Sequence, residues 1–432
     1  MGRPSATLET GVIYCDDNLT RMATLPTESV DLIYLDPPFF SNRFYEVIWG
    51  DEAEVRSFAD RWEGGIQVYI NWMRERVLEM LHLLKPTGSL YLHCDSHASH
   101  YLKVMLDSVF GAELFVNEIT WRRSSAHSDS RQGAQHYGRV TDTVLFYSKS
   151  DQRTWNPVYQ PYDQEYIDRD YRRIEEGTGR RYRIDNLQGP GGASKGNPYY
   201  EVMGVSRYWR YSKERMEKLI AEGRVIQTRP GAVPQYKRYL DEMPGVPVQN
   251  LWADIRPINN RSREMLGYPT QKPVALLERI ITVSSNPGDI VLDPFCGCGT
   301  TIDAAQKLGR QWVGIDISPT AVNIMDRRIK RIPGAPWPIL VGLPSTVESL
   351  RMLKPFEFQN WVVQQFYGVA STRKSGDMGI DGYTFLTHDP IQVKQSEHVG
   401  RNVVDNFETA VKRDGSTVGW IVAFSFTKGA RE

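Results

Sequence analysis

Two short segments, far apart in the chain, place a carboxylate and a constrained loop directly after an apolar run. In the first, the apolar run Val30–Leu35 ends in Asp36-Pro37-Pro38-Phe39. Two prolines forbid both a helix and a continuing strand ladder, so a stiff loop must follow the strand. Open α/β sheets bind ligands at the carboxyl ends of their strands, which makes this loop a candidate recognition site. The alternative is an ordinary proline-rich turn.

The second segment is the apolar run 290–292 followed by Asp293-Pro294-Phe295-Cys296-Gly297-Cys298-Gly299-Thr300. Its glycines let the backbone approach a ligand, and residues 300–308 read as the helix that the turn opens. The next strand, 312–315, ends in Asp316, and an acid at this distance suits a ribose diol. The ligand is a dinucleotide or S-adenosylmethionine, and the absence of a third glycine disfavours NAD.

In combination, DPPF and DPFCGCGTT resemble the S-adenosylmethionine-dependent amino-methyltransferases of DNA, and their order resembles the β-class permutation. TQKPVALLERII, residues 270–281, is similar to the helix before that family's glycine loop. The resemblance covers about residues 10–150 and 250–335. It implies an α/β fold: a Rossmann-like class I methyltransferase sheet, circularly permuted, with an inserted target-recognition region. Cys298 departs from the usual serine, and we expect little effect because both are small.

The resemblance also implies which residues hold the cofactor. Asp17, with Asp16 as its competitor, would bond the adenine amine, Asp316 the ribose, and Lys272 the methionine carboxylate. The backbone of Phe295 to Gly299 would wrap the methionine end. The full expected cofactor set is Asp17, Lys272, Asp293, Pro294, Phe295, Gly297, Gly299, Thr300 and Asp316. For any single acid, the alternative is a helix cap or a solvated loop.

The expected catalytic loop is Asp36, Pro37, Pro38 and Phe39. Hydrogen bonds from a base amine to the Asp36 carboxylate and the Pro37 carbonyl would localise the nitrogen lone pair and aim it at the sulfonium methyl. The base must leave the duplex to be reached, and Phe39 would stack on it. Methylation of a ring carbon needs a cysteine nucleophile, and the Pro-Cys pair of the enzymes that do this is missing. Asp before the prolines favours adenine N6 over cytosine N4; RNA or a protein glutamine are rival substrates.

The elements around these loops alternate as in a parallel sheet covered on both faces. Strands are predicted at 12–15, 30–35 and 89–93, with an edge hairpin of 115–121 and 143–147. A helix at 69–84 should stop at the sequence KPTG, residues 85–88. After the helix 319–331, the next strand of the sheet should be the N-terminal one. The predicted catalytic domain is therefore split into residues 1–150 and 251–335.

Charge distribution points to a nucleic-acid partner although the whole chain is neutral, with 52 Lys+Arg and 52 Asp+Glu. Residues 119–250 carry 22 basic and 16 acidic residues, a net charge of +6, and 151–250 hold eleven of the 22 tyrosines. Basic side chains between aromatic rings suit phosphate and base contacts. We predict that 151–250 is the inserted target-recognition region and that the partner is double-stranded DNA. A small solvated α+β subdomain is the alternative.

The C-terminal part reads as a second domain, 349–432, after a proline-rich linker, 336–348. GIDG followed by QVK resembles the Mrr-like restriction endonucleases, which have an α/β PD-(D/E)xK-like fold. The resemblance makes Asp381 and Gln392 ligands of Mg²⁺, Lys394 catalytic, and Glu357 the acid of the preceding helix. A domain that only binds DNA is the alternative. The family's closing helix and strand are not evident, so we expect a chain truncated at this end.

Several classes are disfavoured by composition. No run of about 18 apolar residues exists, the N-terminus lacks a signal sequence, and four cysteines are too few for a disulfide framework. We expect a cytoplasmic, bacterial or phage-encoded restriction-modification enzyme without membrane contact, as monomer or homodimer. His93, Cys94, His97 and His100 could bind zinc by type, but their spacing favours a polar rim beside the cleft.

Overall fold

The computed structural model describes residues 7–40, 65–124, 135–366, 368–370 and 379–432, apart from residues 260, 261, 263, 267, 269, 385 and 386. The chain divides into two compact units, Met1–Asn156 with Gln249–Glu432 and the inserted Pro157–Val248. The inserted unit therefore lies within the range predicted for target recognition.

The strands are β1 Val12–Cys15, β2 Val30–Leu35, β3 Leu84–Cys94, β4 Phe115–Arg122, β5 Thr141–Ser148, β6 Tyr159–Gln160, β7 Arg173–Ile174, β8 Arg181–Asn186, β9 Tyr199–Val202, β10 Val205–Tyr208, β11 Val225–Ile226, β12 Gln235–Tyr239, β13 Val246–Pro247, β14 Leu251–Trp252, β15 Ile290–Asp293, β16 Gln311–Asp316, β17 Ile339–Val341, β18 Val369–Ala370, β19 Gly382–Tyr383, β20 Pro390–Lys394 and β21 Trp420–Ala423.

The α-helices are α1 Asn18–Met22, α2 Ile66–Leu83, α3 Ser99–Phe110, α4 Gln164–Asp170, α5 Lys213–Ala221, α6 Val274–Ser284, α7 Thr300–Lys307, α8 Pro319–Lys330, α9 Val347–Met352, α10 Pro355–Gln365, α11 Arg401–Asp414 and α12 Lys428–Arg431. Short 3-10 turns lie at Ala112–Leu114, Gly192–Lys195 and Leu240–Glu242.

A nine-stranded sheet with the order β14-β4-β5-β3-β2-β15-β16-β1-β17 organises the larger unit. The strands from β3 to β17 in this order run parallel, whereas β5 is antiparallel to both β3 and β4. The N-terminal strand β1 follows β16, with Val12 beside Val313, as the permuted order requires. The predicted α/β class is therefore confirmed by this sheet.

The sheet also departs from the prediction at the sequence KPTG. The strand β3 begins at Leu84, so this segment lies inside a strand as a bulge, with Val30 paired to Leu84 but Leu32 to Ser89. The Lys85 ammonium reaches back to Asp31, 2.7 Å away, which ties the bulge to β2. The predicted end of the helix at this sequence is confirmed, since α2 ends at Leu83, but the strand begins at Leu84 and not at Ser89 as predicted.

The predicted linker and edge hairpin need correction as well. Residues 336–348 include β17, which pairs with β1 and closes one edge of the sheet. The hairpin β4–β5 is not at the edge, because β14 adds to β4 through Leu251 and Trp252. Two-residue and three-residue strands carry too little periodicity to be read from sequence.

The inserted unit has its own small core. A four-stranded sheet, β11-β12-β8-β7, and the hairpin β9–β10 carry it, and Trp209, Met216 and Leu219 are buried together. Ion pairs use many of its basic residues: Arg180 contacts Asp241 at 2.8 Å, for example. Part of the positive charge counted from the sequence is therefore balanced locally.

The C-terminal residues form a four-stranded sheet, β18-β19-β20-β21, with α10 packed on β20. Phe358, Val362 and Ile391 are buried in this core. Helix α10 also contacts α8 of the large sheet. None of the helices in the described part of the chain is long and apolar enough to cross a membrane.

Candidate active site

A cavity of about 280 Å³ lies at the carboxyl ends of four adjacent strands, β1, β2, β15 and β16. Its wall contains the loops after each strand, together with the segment before α6: Asp16, Asp17, Asn18, Tyr34, Asp36, Pro37, Pro38, Phe39, Trp72, Tyr268, Thr270, Gln271, Lys272, Leu277, Asp293, Pro294, Phe295, Cys296, Gly297, Cys298, Thr300, Thr301, Asp316 and Ile317. The structure thus gathers the expected catalytic loop and nearly all of the expected cofactor residues around one space.

A buried carboxyl group, that of Asp293, holds the glycine loop in place. Asp293, 2 % exposed, accepts a hydrogen bond from the Phe295 amide at 2.9 Å and another from the Thr301 hydroxyl. Burial raises the pKa of Asp293 to about 7. Its carboxyl group therefore anchors the turn, rather than offering a charge to a ligand.

Positive φ angles explain the two glycines. Gly297 has φ +51° and Gly299 has φ +75°, a region that strains other residues. A Cβ on Gly299 would lie 2.2 Å from Cγ of Met325, in α8. Gly299 does not line the cavity wall, so its role is to let α7 and α8 pack closely at the start of α7.

Asp316 holds the end of β16 to the glycine loop. One oxygen accepts from the Gly297 amide at 2.7 Å and the other from the Ser318 amide at 2.9 Å. Burial raises the pKa of Asp316 to about 6. A carboxylate has about four acceptor sites, so both oxygens can still accept from a pair of hydroxyl groups.

Asp17 is a helix cap that also borders the cavity. It caps α1, where Oδ1 accepts from the Thr20 amide at 3.0 Å. Its Oδ2 lies 3.0 Å from the guanidinium of Arg76 in α2. Burial acts to raise the pKa of Asp17, but the Thr20 amide and Arg76 outweigh it and lower the pKa. Asp16 instead binds Arg21, at 2.7 Å.

Asp36 and Lys272 form a buried ion pair at the centre of the site. Lys272 Nζ lies 2.5 Å from Asp36 Oδ2 and donates to the Thr270 carbonyl at 3.2 Å. The Asp36 Oδ1 atom is buried and has no hydrogen-bond partner among the described residues. Lys272, predicted to bind a cofactor carboxylate, is thus paired here with the carboxylate of Asp36, the residue expected to be catalytic.

Aromatic rings surround this pair. Phe39 lies with its ring centroid 5.1 Å from Lys272 Nζ, and Trp72 packs against Phe295 at 5.8 Å. The Tyr69 hydroxyl donates to the Pro38 carbonyl at 2.7 Å, which fixes the second proline of the loop. A flat, apolar ligand would find ring faces and a carboxylate acceptor together.

The residues of the site that were not predicted from the sequence include Arg76, Trp72 and Tyr268. Arg76 is 5 % exposed and lies one turn after Trp72, with its guanidinium 3.8 Å from the Trp72 ring. A charged residue inside the apolar stripe of α2 was the available signal. Tyr268, whose ring would meet a Cβ on Gly297 at 3.2 Å, follows no pattern that marks it.

The expected nuclease residues lie together on the C-terminal sheet. Asp381, just before β19, accepts from the Val393 amide at 2.6 Å through Oδ2. Gln392 and Lys394 are two residues apart on β20 and therefore lie on the same face of the strand. Gln392 Oε1 is buried without a hydrogen-bond partner among the described residues. An oxygen donor in this condition fits a hard cation such as Mg²⁺.

Glu357, expected beside that metal, makes a different contact. Its carboxylate accepts from the Ser318 hydroxyl at 3.2 Å and from the Thr320 hydroxyl at 3.4 Å, at the start of α8. Glu357 is 8 % exposed, and burial raises its pKa. The contact joins the C-terminal sheet to the loop after Asp316, a pairing that spacing within the sequence does not reveal.

The four possible zinc ligands do not converge. His93 is fully buried and contacts Tyr34 and Asp142, and His97 contacts Asp95. Cys94 is buried and His100 is exposed. Among the described residues, no group of three or more His, Cys, Asp or Glu side chains could hold a metal ion.

The fold and the cavity together define a class of protein, the Rossmann-like methyltransferases. Residues 30–327 match the DNA methylase family, which includes enzymes of adenine N6 and of cytosine N4, and residues 350–432 match a restriction endonuclease family. The chain belongs to the DNA methylase family and carries a restriction endonuclease-like domain. The resemblance inferred from DPPF and the glycine loop is thereby confirmed.

Two relatives agree with this family. The chain is 30 % identical to the Type II methyltransferase M.EcaI of Enterobacter cloacae over 75 % of this chain and 70 % of that one. It is 27 % identical to the DNA adenine methyltransferase YhdJ of Escherichia coli over 74 % and 83 %. The structure of PvuII DNA methyltransferase, cytosine-N4-specific, is 16 % identical and aligns with a TM-score of 0.43 over 76 % and 89 %.

S-adenosylmethionine is the methyl donor of this family, and the cavity fits it. Asp316 would offer acceptors for ribose hydroxyls, Asp17 an acceptor for the adenine amine, and the backbone around Gly297 the space for the methionine end. When bound, the cofactor supplies an electrophilic methyl group. Lys272, which lines the same cavity, is the residue that would pair with its carboxylate.

Proposed function

We propose that this DNA methyltransferase modifies adenine at N6 within a specific duplex sequence, as part of a restriction-modification system. The supporting observation is the buried Asp36 Oδ1, an acceptor without a donor among the described residues. Such an atom costs about 1–3 kcal/mol unless a ligand pairs with it. A base amine is a donor of the right kind. Asp in this position, where cytosine N4 enzymes have Ser, favours adenine.

The chain's own residues do the work by position and charge. Asp36 accepts a hydrogen bond from the base amine, which draws the nitrogen lone pair out of conjugation with the ring. Phe39 stacks on the base. Pro37 and Pro38 keep the loop rigid, and Tyr69 holds the Pro38 carbonyl. The amine nitrogen bonds directly to the methyl carbon as the bond from sulfur breaks, so no covalent intermediate on the protein is needed. The methylated amine then loses one proton.

The experiment is Asp36→Ala, assayed by transfer of tritiated methyl groups to unmethylated plasmid DNA. We expect methyl transfer to fall at least a thousandfold, with S-adenosylmethionine binding retained in calorimetry, because the carboxylate acts on the base. Asp31→Ala is the matched control: Asp31 lies in β2, the strand that Asp36 directly follows, is also paired with a lysine, Lys85 at 2.7 Å, and does not line the cavity.

Sequencing of the methylated DNA with single-base modification detection separates the two amines. N6-methyladenine at one sequence supports the proposal, and N4-methylcytosine would replace the adenine assignment while keeping the mechanism. Full activity of Asp36→Ala would remove both.

We also propose that the C-terminal domain is a Mg²⁺-dependent endonuclease in which Asp381 and Gln392 hold the metal and Lys394 is catalytic. Support comes from Gln392 Oε1, buried without a partner among the described residues. A bound Mg²⁺ would polarise the phosphodiester and lower the pKa of its water, while Lys394 offsets charge.

Supercoiled plasmid tests this second activity. Nicking that needs Mg²⁺ and disappears in Lys394→Ala supports cleavage, and Lys412→Ala, which removes an exposed lysine of α11 paired with Glu408, is the control. A wild-type protein that binds DNA without cutting unmethylated target would leave DNA binding as the function of this domain.

A further inference from the structure

A buried polar chain crosses three neighbouring strands behind the catalytic loop. The Tyr34 hydroxyl in β2 lies 2.9 Å from Nδ1 of His93 in β3, and His93 Nε2 lies 3.2 Å from Asp142 Oδ2 in β5. Arg123 Nε is 3.0 Å from the other Asp142 oxygen. The order β2-β3-β5 makes these strands adjacent, so one row of side chains spans them.

The polarity of the chain follows from its charged end. Burial acts to raise the pKa of Asp142, but the hydrogen bond and charge of His93 outweigh it and lower the pKa, so this carboxyl group is an acceptor. The His93 Nε2 must then carry a hydrogen, and Nδ1 pairs with the Tyr34 hydroxyl, which can donate or accept. Both ring nitrogens are engaged, and the orientation of the imidazole is fixed.

The ring held in this way supports Phe39. The planes of the His93 and Phe39 rings meet at 21° with centroids 5.7 Å apart, a stacked arrangement, and Trp121 meets His93 edge-on at 5.8 Å. His93 is fully buried and does not line the cavity, whereas Phe39 does. Lys272, over the Phe39 ring at 5.1 Å, is also in the cavity wall.

We propose that His93 is a positioning residue of methyl transfer: tethered by Tyr34 and Asp142, it supports the side of Phe39 away from the cavity and so fixes the ring on which the target base stacks. The inference rests on the proposed function of the Asp36–Phe39 loop. It adds that the stacking platform has two layers, of which only the upper one meets the base.

A support of this kind is needed because the loop is short. Phe39 follows two prolines and precedes Phe40, which has φ +58°. This backbone fixes the Cα of Phe39, but the ring can still turn about its χ angles. A phenyl ring without a partner below it can rotate, and a misplaced base loses the near-attack geometry on which the rate depends. His93 contacts Tyr34, which precedes Asp36 in the chain, and Phe39, which follows it.

The test compares His93→Ala, His93→Gln and Tyr34→Phe in the full chain, with tritiated S-adenosylmethionine and plasmid DNA from a methylation-deficient host. We expect His93→Ala to lower the single-turnover rate at least tenfold, while the KM for S-adenosylmethionine changes less than twofold. Gln keeps a donor for Asp142 but has no ring, so it should be as slow as Ala. Tyr34→Phe removes one tether and should lower the rate about threefold.

Tyr91→Phe is the control for lost buried hydrogen bonds. Tyr91 lies two residues before His93 on the same strand, bonds Ser284 at 2.7 Å and does not line the cavity. It should keep the wild-type rate. A rate within twofold of wild type in folded His93→Ala overturns the proposal. If that variant does not fold, a wild-type rate in Tyr34→Phe overturns it.

Failure of this inference and failure of the adenine assignment are distinguishable. Tritium incorporation counts methyl groups on either base, so the His93 effect is measured even if the product is N4-methylcytosine. If Asp36→Ala were fully active, the loop itself would have lost its role, whereas a normal His93→Ala with an inactive Asp36→Ala would remove only the support.

Discussion

Asp293 should weaken the folded protein above neutral pH, and replacing it should therefore stabilise the chain. Its carboxyl group is 2 % exposed, and burial is the main cause of its raised pKa, with the charges of Asp36 and Asp316 adding to it. The difference between 3.8 and about 7 corresponds to at most about 4 kcal/mol at 1.36 kcal/mol per pH unit.

The sign follows from proton linkage. Between about pH 4 and pH 7 the unfolded chain has released the Asp293 proton and the folded chain keeps it, so stability falls as pH rises through this window. Above pH 7 both states are ionised and the full cost of the buried charge is present. Below about pH 4 both are neutral and the cost is absent.

Asp293→Asn removes this dependence while keeping the local contacts. The amide oxygen can still accept from the Phe295 amide, at 2.9 Å in the parent, and the amide nitrogen can donate to Thr301. Urea unfolding followed by tryptophan fluorescence should show a gain of about 2–4 kcal/mol at pH 8.5 and of about 1–2 kcal/mol at pH 5.

Asp303→Asn is the matched control, because Asp303 is as buried but paired. Arg328 donates to its Oδ2 from Nε at 3.0 Å and from Nη2 at 2.9 Å. Breaking a buried pair costs about 3–5 kcal/mol, so this variant should be less stable at both pH values. The reasoning fails if Asp293→Asn is destabilised at pH 8.5 or if its stability follows that of the parent across the pH range.

Two further outcomes are expected. Gly299→Ala should lower the free energy of unfolding by about 1–3 kcal/mol and weaken S-adenosylmethionine binding in calorimetry, because the new methyl group would clash with Met325 at a position that already has a positive φ. Gly309 also has a positive φ, but a Cβ there would have nothing within 4 Å. Gly309→Ala should therefore lose less stability and bind S-adenosylmethionine normally. Glu357→Ala should speed tryptic separation of the two domains about tenfold, because it removes the Ser318 and Thr320 contacts, worth about 1–2 kcal/mol; an unchanged cleavage rate would mean that this contact does not hold the domains together.

Local patterns in the sequence were enough to locate the site. Asp36 and Asp293 were expected directly after buried strands, and parallel strands bring such residues to one edge of a sheet. The pairing of β1 with β16 followed from the order of motifs, because a permuted sheet needs its N-terminal strand there. In the first case the information lies within one element and the loop that follows it, and in the second it lies in the order of the motifs along the chain.

Pairings between distant residues could not be read in this way. Lys272 and Asp36 are 236 positions apart, Arg76 and Asp17 are 59 apart, and Glu357 reaches Ser318 across 39. Each side chain is individually plausible as solvent-exposed, and only tertiary packing selects its partner. The sequence could thus propose that Lys272 belongs to the site without specifying the carboxylate that it binds.

Lys272 has two assigned partners: the cofactor carboxylate, predicted from the sequence, and Asp36, observed in the structure. The charges of the cavity wall relate the two. Among the described residues of the wall, Lys272 is the single Lys or Arg, against Asp16, Asp17, Asp36, Asp293 and Asp316. Asp16 and Asp17 are paired with Arg21 and Arg76, and the raised pKa values of Asp293 and Asp316 reduce their charge, so Asp36 and Lys272 are the central charge pair of the wall. If the methionine carboxylate of a bound cofactor paired with Lys272, both Asp36 oxygens would be left as acceptors for the base amine.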